Sequence, residues 1–397
     1  MPNEFFSPEG DLENYFVTEY WLIDQYIGDT LLTFGRNNTG QLGDNTTIDR
    51  STPVTTFTGG ANWKQVSGNP GKSGTHTAAI KTDGTLWTWG NNNNGQIGDN
   101  TTTNRNTPVT TFAGGTNWKQ VACGETHTAA IKTDGTLWTW GNNNRGQIGD
   151  NTTANKTTPV TTFAGGTNWK QVSCGVLHTA AIKTDGTLWT WGRNNFAQLG
   201  DNTTANKTTP VTTFAGGTNW KQVACGGDNM AAIKTDGTLW TCGRNLNGQL
   251  GDNTAIDRST PVTTFAGGTN WKQVACGYQH IAAIKTDGTL WVWGLNANGQ
   301  LGINTITNRS TPVTTFAGGT NWKQVACGGY HTSAIKTDGT LWTWGLNTTA
   351  QLGNNTTTNR STPVTTFSGG TNWKQVVGGY QHTAAVTSGT DPTYFIS

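Results

Sequence analysis

The segment Ala122-Cys123-Gly124-Glu125-Thr126-His127-Thr128-Ala129-Ala130-Ile131-Lys132-Thr133-Asp134-Gly135-Thr136-Leu137-Trp138-Thr139-Trp140-Gly141 carries the architecture of the whole chain. His127–Thr133 is rich in strand formers and runs into Asp134-Gly135, a hairpin turn because glycine tolerates positive φ. Thr136–Trp140 alternates, which places Trp138 and Trp140 on one face and Leu137 and Thr139 on the other. Upstream, Trp118–Cys123 reads as a strand. Downstream lies a polar Asn/Gly loop, followed by a strand over Thr158–Phe163. Pro159 in that strand suits a sheet edge because it has no ladder donor.

The same pattern recurs along the chain. Trp-Lys-Gln-Val begins at Trp63, Trp118, Trp169, Trp220, Trp271, Trp322 and Trp373, with a first spacing of 55 residues and then five of 51. Four short strands per copy, with large aromatics between sheets and no long amphipathic helix, are the signature of a propeller blade; a stacked solenoid is the rival. The chain ends decide between them. Thr30-Leu31-Leu32-Thr33-Phe34-Gly35 is a degenerate Thr-Leu-Trp-Thr-Trp-Gly with nothing of its blade before it. The last copy stops after His382-Thr383-Ala384-Ala385-Val386. Each end lacks what the other has, and no polar capping repeat is visible, so the expectation is a ring of seven blades closed by a blade shared between the termini.

The string Ala-Cys-Gly-x-x-His-Thr-Ala-Ala-Ile-Lys-Thr-Asp-Gly-Thr-Leu-Trp-Thr-Trp-Gly-x-Asn-x-x-Gly-Gln-Leu-Gly resembles the RCC1-type repeat over residues 29–387. The resemblance implies an all-β, seven-bladed RCC1-like propeller. The near-identity of the copies is similar to bacterial and phage-encoded members. The expected organisation is an acidic, aromatic extension (1–28), the propeller (29–390) and a short tail (391–397).

Composition narrows the class. Of 397 residues, 33% are hydrophobic and 12% charged, with 54 glycines in no three-residue period, which excludes collagen. Nineteen Trp and 13 Phe supply enough apolar surface to argue against disorder. No apolar run reaches the ~20 residues of a membrane span, and the first residues show no Sec-type leader.

Candidate chemistry reads as scaffold. Cys123, Cys174, Cys225, Cys276 and Cys327 share one repeat position, expected to be small, buried and near the axis. Cys242 replaces a core Trp, and a disulfide has one candidate pair, Cys225 with Cys242. No Cys-x-x-Cys spacing suggests zinc. His76, His127, His178, His280, His331 and His382 share another position, with Asn229 in the seventh copy. Because Asn imitates an imidazole hydrogen bond but cannot act as a base, a structural inter-blade bond is expected. Seven near-equal copies do not supply a catalytic site's unequal partners, so neither an enzyme nor a cofactor is expected. Gly68–Ser73 is not a P-loop; it contains the four-residue insertion that lengthens the first spacing to 55, the one loop that marks a blade by length. Asp44, Asp99, Asp150, Asp201 and Asp252 read as Asx-turns rather than calcium ligands.

Positions that vary between copies cluster in two loops, where binding residues concentrate on a rigid scaffold. One precedes the histidine and supplies Val176, Leu177, Tyr278, Gln279, Tyr330 and Tyr380. The other follows the Trp-Gly strand and supplies Arg145, Arg193, Phe196 and Arg244. The competing reading is neutral drift in exposed turns. Net charge is only +2, but residues 1–29 hold seven acids and no Lys or Arg, against 25 basic and 16 acidic residues in the remainder. One loop cation per blade (Arg50, Arg105, Lys156, Lys207, Arg258, Arg309, Arg360) is either a basic rim for an acidic partner or a solubility ring partly neutralised by neighbouring Asp. Tyr15, Phe16, Tyr20 and Trp21 give the extension the aromatic density of an attachment element, with assembly through it as the expected consequence.

The expected role is a non-catalytic interaction propeller binding a protein partner. The expected setting is a phage virion, as a tail-associated or fibre-like component. The alternatives are an exported protein- or carbohydrate-binding propeller, a cytoplasmic location, and the guanine-nucleotide exchange that the family resemblance implies. The last normally needs a wedge-like insertion and a basic tail. Nucleic acid is not expected as a partner.

Overall fold

The computed structural model describes residues 28–58, 60–72 and 75–389. Among the described residues, 28 short strands form seven four-stranded antiparallel sheets arranged as a ring. In the second blade the strands run Trp118–Cys123, His127–Lys132, Leu137–Gly141 and Lys156–Thr161 from the axis outward. Asp134 makes the hairpin by accepting from both the amide and the hydroxyl of Thr136, while Gly135 takes φ of 80°. The outermost strand begins two residues earlier than the sequence suggests. Its register shifts between Lys156 and Val160, where Pro159 sits on the edge.

Blades are welded by aromatic and amide contacts. Trp138 and Trp140 both meet Trp118 edge-on, at 6.4 and 6.3 Å. Trp118 and Trp140 also pack on Ala78, Ile80 and Leu86 of the blade before. The Trp140 indole donates to the Gln96 carbonyl of that blade at 2.9 Å. A belt of glutamines runs round the axis. Gln120 donates to Val172 O and accepts from Val172 N, standing in for a strand partner on the next blade. Gln375 does the same to Val66, so the belt joins the last copy to the first.

The closing blade is built as expected from both termini, in the order 50–55, 30–35, 382–387, 373–378. Thr30 pairs with Thr387 and Gly35 with His382, an unbroken six-residue ladder. Among the described residues no helix is long and apolar enough to cross a membrane.

The histidines make inter-blade bonds. Thr128 donates its hydroxyl to Gln96 O, so His76 must donate to Thr128 through Nε2, at 2.9 Å. His127, His280, His331 and His382 repeat the contact with Thr179, Thr332, Thr383 and Thr77. Asn229 does not imitate it: both its side-chain polar atoms lack a partner, because the next blade offers Ile281 instead of Thr. One interface earlier His178 Nε2 is orphaned too, facing Met230.

Met230 has a second cause. It lies directly across the strand pair from Cys242, where four other blades pair Thr with Trp. The longer thioether fills part of the space left by the missing indole. The same register separates Cys225 from Cys242 by a whole strand, since Met230 pairs with both. Two strand spacings of about 4.8 Å exceed disulfide reach, and all six cysteines are free and buried.

Candidate functional site

The second strand of each blade begins at its histidine, or at Asn229 in the fourth, so the loops before these residues gather round one mouth of the ring; the Asp-Gly hairpins lie on the opposite face. Both variable loops reach that mouth. They are stitched blade by blade through Arg193 N to Leu177 O, Arg244 N to Asp228 O, Leu295 N to Gln279 O, Leu346 N to Tyr330 O and Arg36 N to Gln381 O.

Tyr278, Tyr330 and Tyr380, from three consecutive blades, form one half-buried staircase with ring centroids 5.7 and 5.9 Å apart. Burial and the neighbouring hydroxyls push the Tyr330 phenol up to about 12. The staircase depends on two glycines of the same variable position. A Cβ on Gly227 would collide with Tyr278, and one on Gly329 would lie 2.5 Å from the Tyr380 ring. The alternation Gly227, Tyr278, Gly329, Tyr380 is therefore a packing solution rather than drift. Gln381 flanks it by accepting from Arg36 at 2.7 Å, and Gln279 is half-exposed beside Tyr278.

A second cluster spans the third and fourth blades. The Phe196 ring lies between the guanidinium groups of Arg193 and Arg244, at 5.2 and 4.6 Å. Both arginines also approach the buried Asp228, at 3.4 and 3.6 Å. Burial holds the Asp228 carboxyl above its usual range although both arginines pull it down. Arg145 stands exposed in the same loop position as Phe196. Leu177 is half-exposed, but Val176 is buried, held by amide contacts to Gly226 and Gly227 of the next blade, and presents nothing to a partner. Tyr15, Phe16, Tyr20 and Trp21 lie outside the described residues.

The four-residue insertion reaches over the axis. The Asn69 side chain, fully buried, donates to Cys123 O and Cys174 O, both at 3.0 Å, on the second and third blades. Pro70 lines the axial cavity, about 290 Å³, and Lys72 ends 5.7 Å from the Tyr278 ring across the mouth. The shared cysteine position lines that cavity. Cys123, Cys276 and Cys327 donate to carbonyls of the preceding blade, and burial raises the Cys123 and Cys327 thiols to about 12. Among the described residues no group of three or more His, Cys, Asp or Glu is placed to hold a metal ion.

The basic rim is mostly neutralised. Arg50, Arg105, Lys156, Lys207 and Arg258 pair with Asp44, Asp99, Asp150, Asp201 and Asp252 at 2.6–3.3 Å. Each Asp also accepts from a Thr two residues on, the expected Asx-turn. Arg309 and Arg360 differ: Ile303 and Asn354 stand where the acid should be, and neither arginine has a carboxylate partner among the described residues. A feature that strand patterning missed is the exposed phenylalanine ending each blade, Phe57, Phe112, Phe163, Phe214, Phe265, Phe316 and Phe367, each 62–67% exposed.

A family model described as the RCC1-like domain matches residues 25–316 and 161–394. The chain is 32% identical over 343 residues to the ultraviolet-B receptor UVR8 of Arabidopsis thaliana, covering 85% of this chain and 77% of the relative. It is 33% identical over 200 residues to the human probable E3 ubiquitin-protein ligase HERC4, covering 49% of this chain and only 19% of that protein. Among solved structures it is similar to yeast RCC1 (Prp20) bound to Kap60, with TM-score 0.80, 18% identity and coverage of 99% and 95%. Human WBSCR16 gives TM-score 0.77 at 21% identity, covering 92% and 100%. The match along the whole repeat region and the seven-sheet ring closed by a shared blade agree, and the chain belongs to the RCC1-like domain family.

Proposed function

We propose that this protein is a non-catalytic interaction propeller that captures a protein partner at the mouth lined by the histidine-preceding loops. The observation that carries the reading is the half-exposed Tyr278–Tyr330–Tyr380 staircase, whose close packing is permitted by Gly227 and Gly329. Tyr and Arg are favoured anchors at interfaces, and the two loops that vary most between otherwise similar blades converge there. Protein binding by similar propellers supports it: one solved neighbour is yeast RCC1 in complex with Kap60, and another is described by its binding to Gsp1p and histones. Display on a phage particle remains our proposal for the setting, resting on composition and near-identical copies. Mass spectrometry of purified particles tests it.

For the mouth, the test is cross-linking mass spectrometry of the protein in its source, wild type against the combined Tyr278→Ser, Tyr330→Ser, Tyr380→Ser variant. Cross-links should concentrate on the mouth and vanish in the variant. Partners attached at the outer rim or hairpin face, unaffected by the variant, would refute the assignment. A glycan array on the same pair separates the carbohydrate reading, in which sugar binding is lost with the tyrosines.

A further inference from the structure

The charge at the mouth is uneven around the ring. The two blades whose rim arginines lost their acids are the fifth and sixth, the same blades that contribute Tyr278 and Tyr330. Arg309 and Arg360 open the outermost strands on that face, opposite Gly294 and Gly345, and are half-exposed. Lys72 reaches Tyr278 from the insertion, and Arg36 flanks Tyr380 through Gln381. Two acids also face the tyrosines, Glu125 and Asp228, but Asp228 is already paired with Arg193 and Arg244. Against Lys72, Arg36, Arg309 and Arg360 the arc is therefore aromatic and net cationic, and would suit a segment that is aromatic and anionic.

The chain carries such a segment. Residues 1–27 hold six acids, no Lys or Arg, and Tyr15-Phe16 and Tyr20-Trp21. The chain enters the ring on the side away from the mouth: Thr30 pairs with Thr387 at the hairpin end, and only Gly35 reaches the histidine end. We infer that residues 1–27 of one copy dock on the Tyr278–Tyr330–Tyr380 arc of a second copy. The rings would then stack head to tail, hairpin face over mouth, a heterologous contact that repeats along an axis. Twenty-seven residues span up to about 90 Å when extended, enough to cross a neighbour's mouth. This inference rests on the proposed use of the mouth and names its occupant.

The test uses the full chain. Sedimentation should show concentration-dependent association up to roughly 100 µM, weakening about tenfold or more between ~0.05 and ~0.5 M salt. The combined Ile303→Asp, Asn354→Asp variant installs a pair that five blades already contain, so it leaves the ring folded while neutralising Arg309 and Arg360. It should weaken association by about tenfold. A labelled synthetic peptide of residues 1–27 should bind the full chain and lose binding in the tyrosine variant. A chain that stays monomeric and does not bind the peptide overturns the inference. So does association indifferent to both variants, or a monomer whose residues 1–27 cross-link to its own ring. If the occupant fails but another protein still cross-links to the mouth in a tyrosine-dependent way, the function of the mouth stands. If no protein does, that reading falls as well.

Discussion

Restoring the fourth blade to the pattern of its neighbours, by Cys242→Trp together with Met230→Thr, is expected to stabilise the ring, although each change alone destabilises it. Elsewhere the Gln carbonyl of the preceding blade accepts twice, as Gln147 O does from Thr179 at 2.9 Å and from Trp191 at 3.0 Å. At Gln198 O both donors are replaced, leaving the Cys242 thiol at 3.8 Å. The double variant returns those two bonds and gives His178 the hydroxyl it lacks, three hydrogen bonds at about 1 kcal/mol each. The new indole should also meet Trp220 edge-on, as Trp191 meets Trp169 at 6.2 Å, for another ~1 kcal/mol. The expected gain is therefore roughly 3–4 kcal/mol. Cys242→Trp alone forces the indole against buried Met230, an overpacking cost of ~1–3 kcal/mol. Met230→Thr alone deepens the void beside Cys242, and its loss of buried volume should outweigh the two bonds it regains, for a net cost of about 1–2 kcal/mol. Urea unfolding followed by tryptophan fluorescence on the four proteins measures the cycle. A coupling energy near zero, or a double variant weaker than wild type, would show that the two substitutions arose independently and fill no common space.

Three further outcomes follow from the inter-blade contacts. Gln222→Leu removes the bond to Val274 O and orphans Val274 N, both at 3.2 Å, and should cost about 2–4 kcal/mol in the same urea assay; a neutral effect would mean water replaces the belt. Burial lowers His76, His127, His280 and His331 to about 3 and His178 and His382 to about 4. The unfolded chain therefore binds more protons than the fold below the ordinary histidine value of about 6.5. Stability should be level between about pH 7 and 8 and fall as pH drops through 6.5 to 5, a window above the range in which carboxylates titrate; equal urea midpoints at pH 7 and pH 5 would contradict this. The six buried thiols should resist iodoacetamide at pH 8 until urea unfolds the ring, and native labelling of Cys123 or Cys327 would contradict their high pKa values.

The blade, its copy number and the closure were legible because near-identical copies repeat one amphipathic pattern with its turns. The shared His and Cys positions were legible as scaffold for the same reason. The glutamine belt was not. A Gln inside Trp-Lys-Gln-Val looks like any half-solvated strand residue, and its role requires a neighbouring blade a full copy away. Val176 was misplaced because variability between copies marks a change of partner as readily as a free surface; at that position the next blade's loop covers it. The Asp–cation pairs span six residues and stood open as a rim or a neutralised ring. Geometry settled five of them and singled out Arg309 and Arg360 by Ile303 and Asn354. The exposed phenylalanine two residues beyond each outer strand carried no signal, since an aromatic after Pro-Val-Thr-Thr reads as the end of the strand itself.

The seam of the closing blade also bears on biosynthesis. Among the strands of the ring, the hairpin of residues 30–55 is synthesised before all others and its partner strand His382–Thr387 after all others. During translation the nascent chain therefore exposes the Leu31 and Phe34 strand edge until more than three hundred further residues have been made. A chain cut before His382 would hold six complete blades with two unmatched lips, prone to pairing with each other's edges.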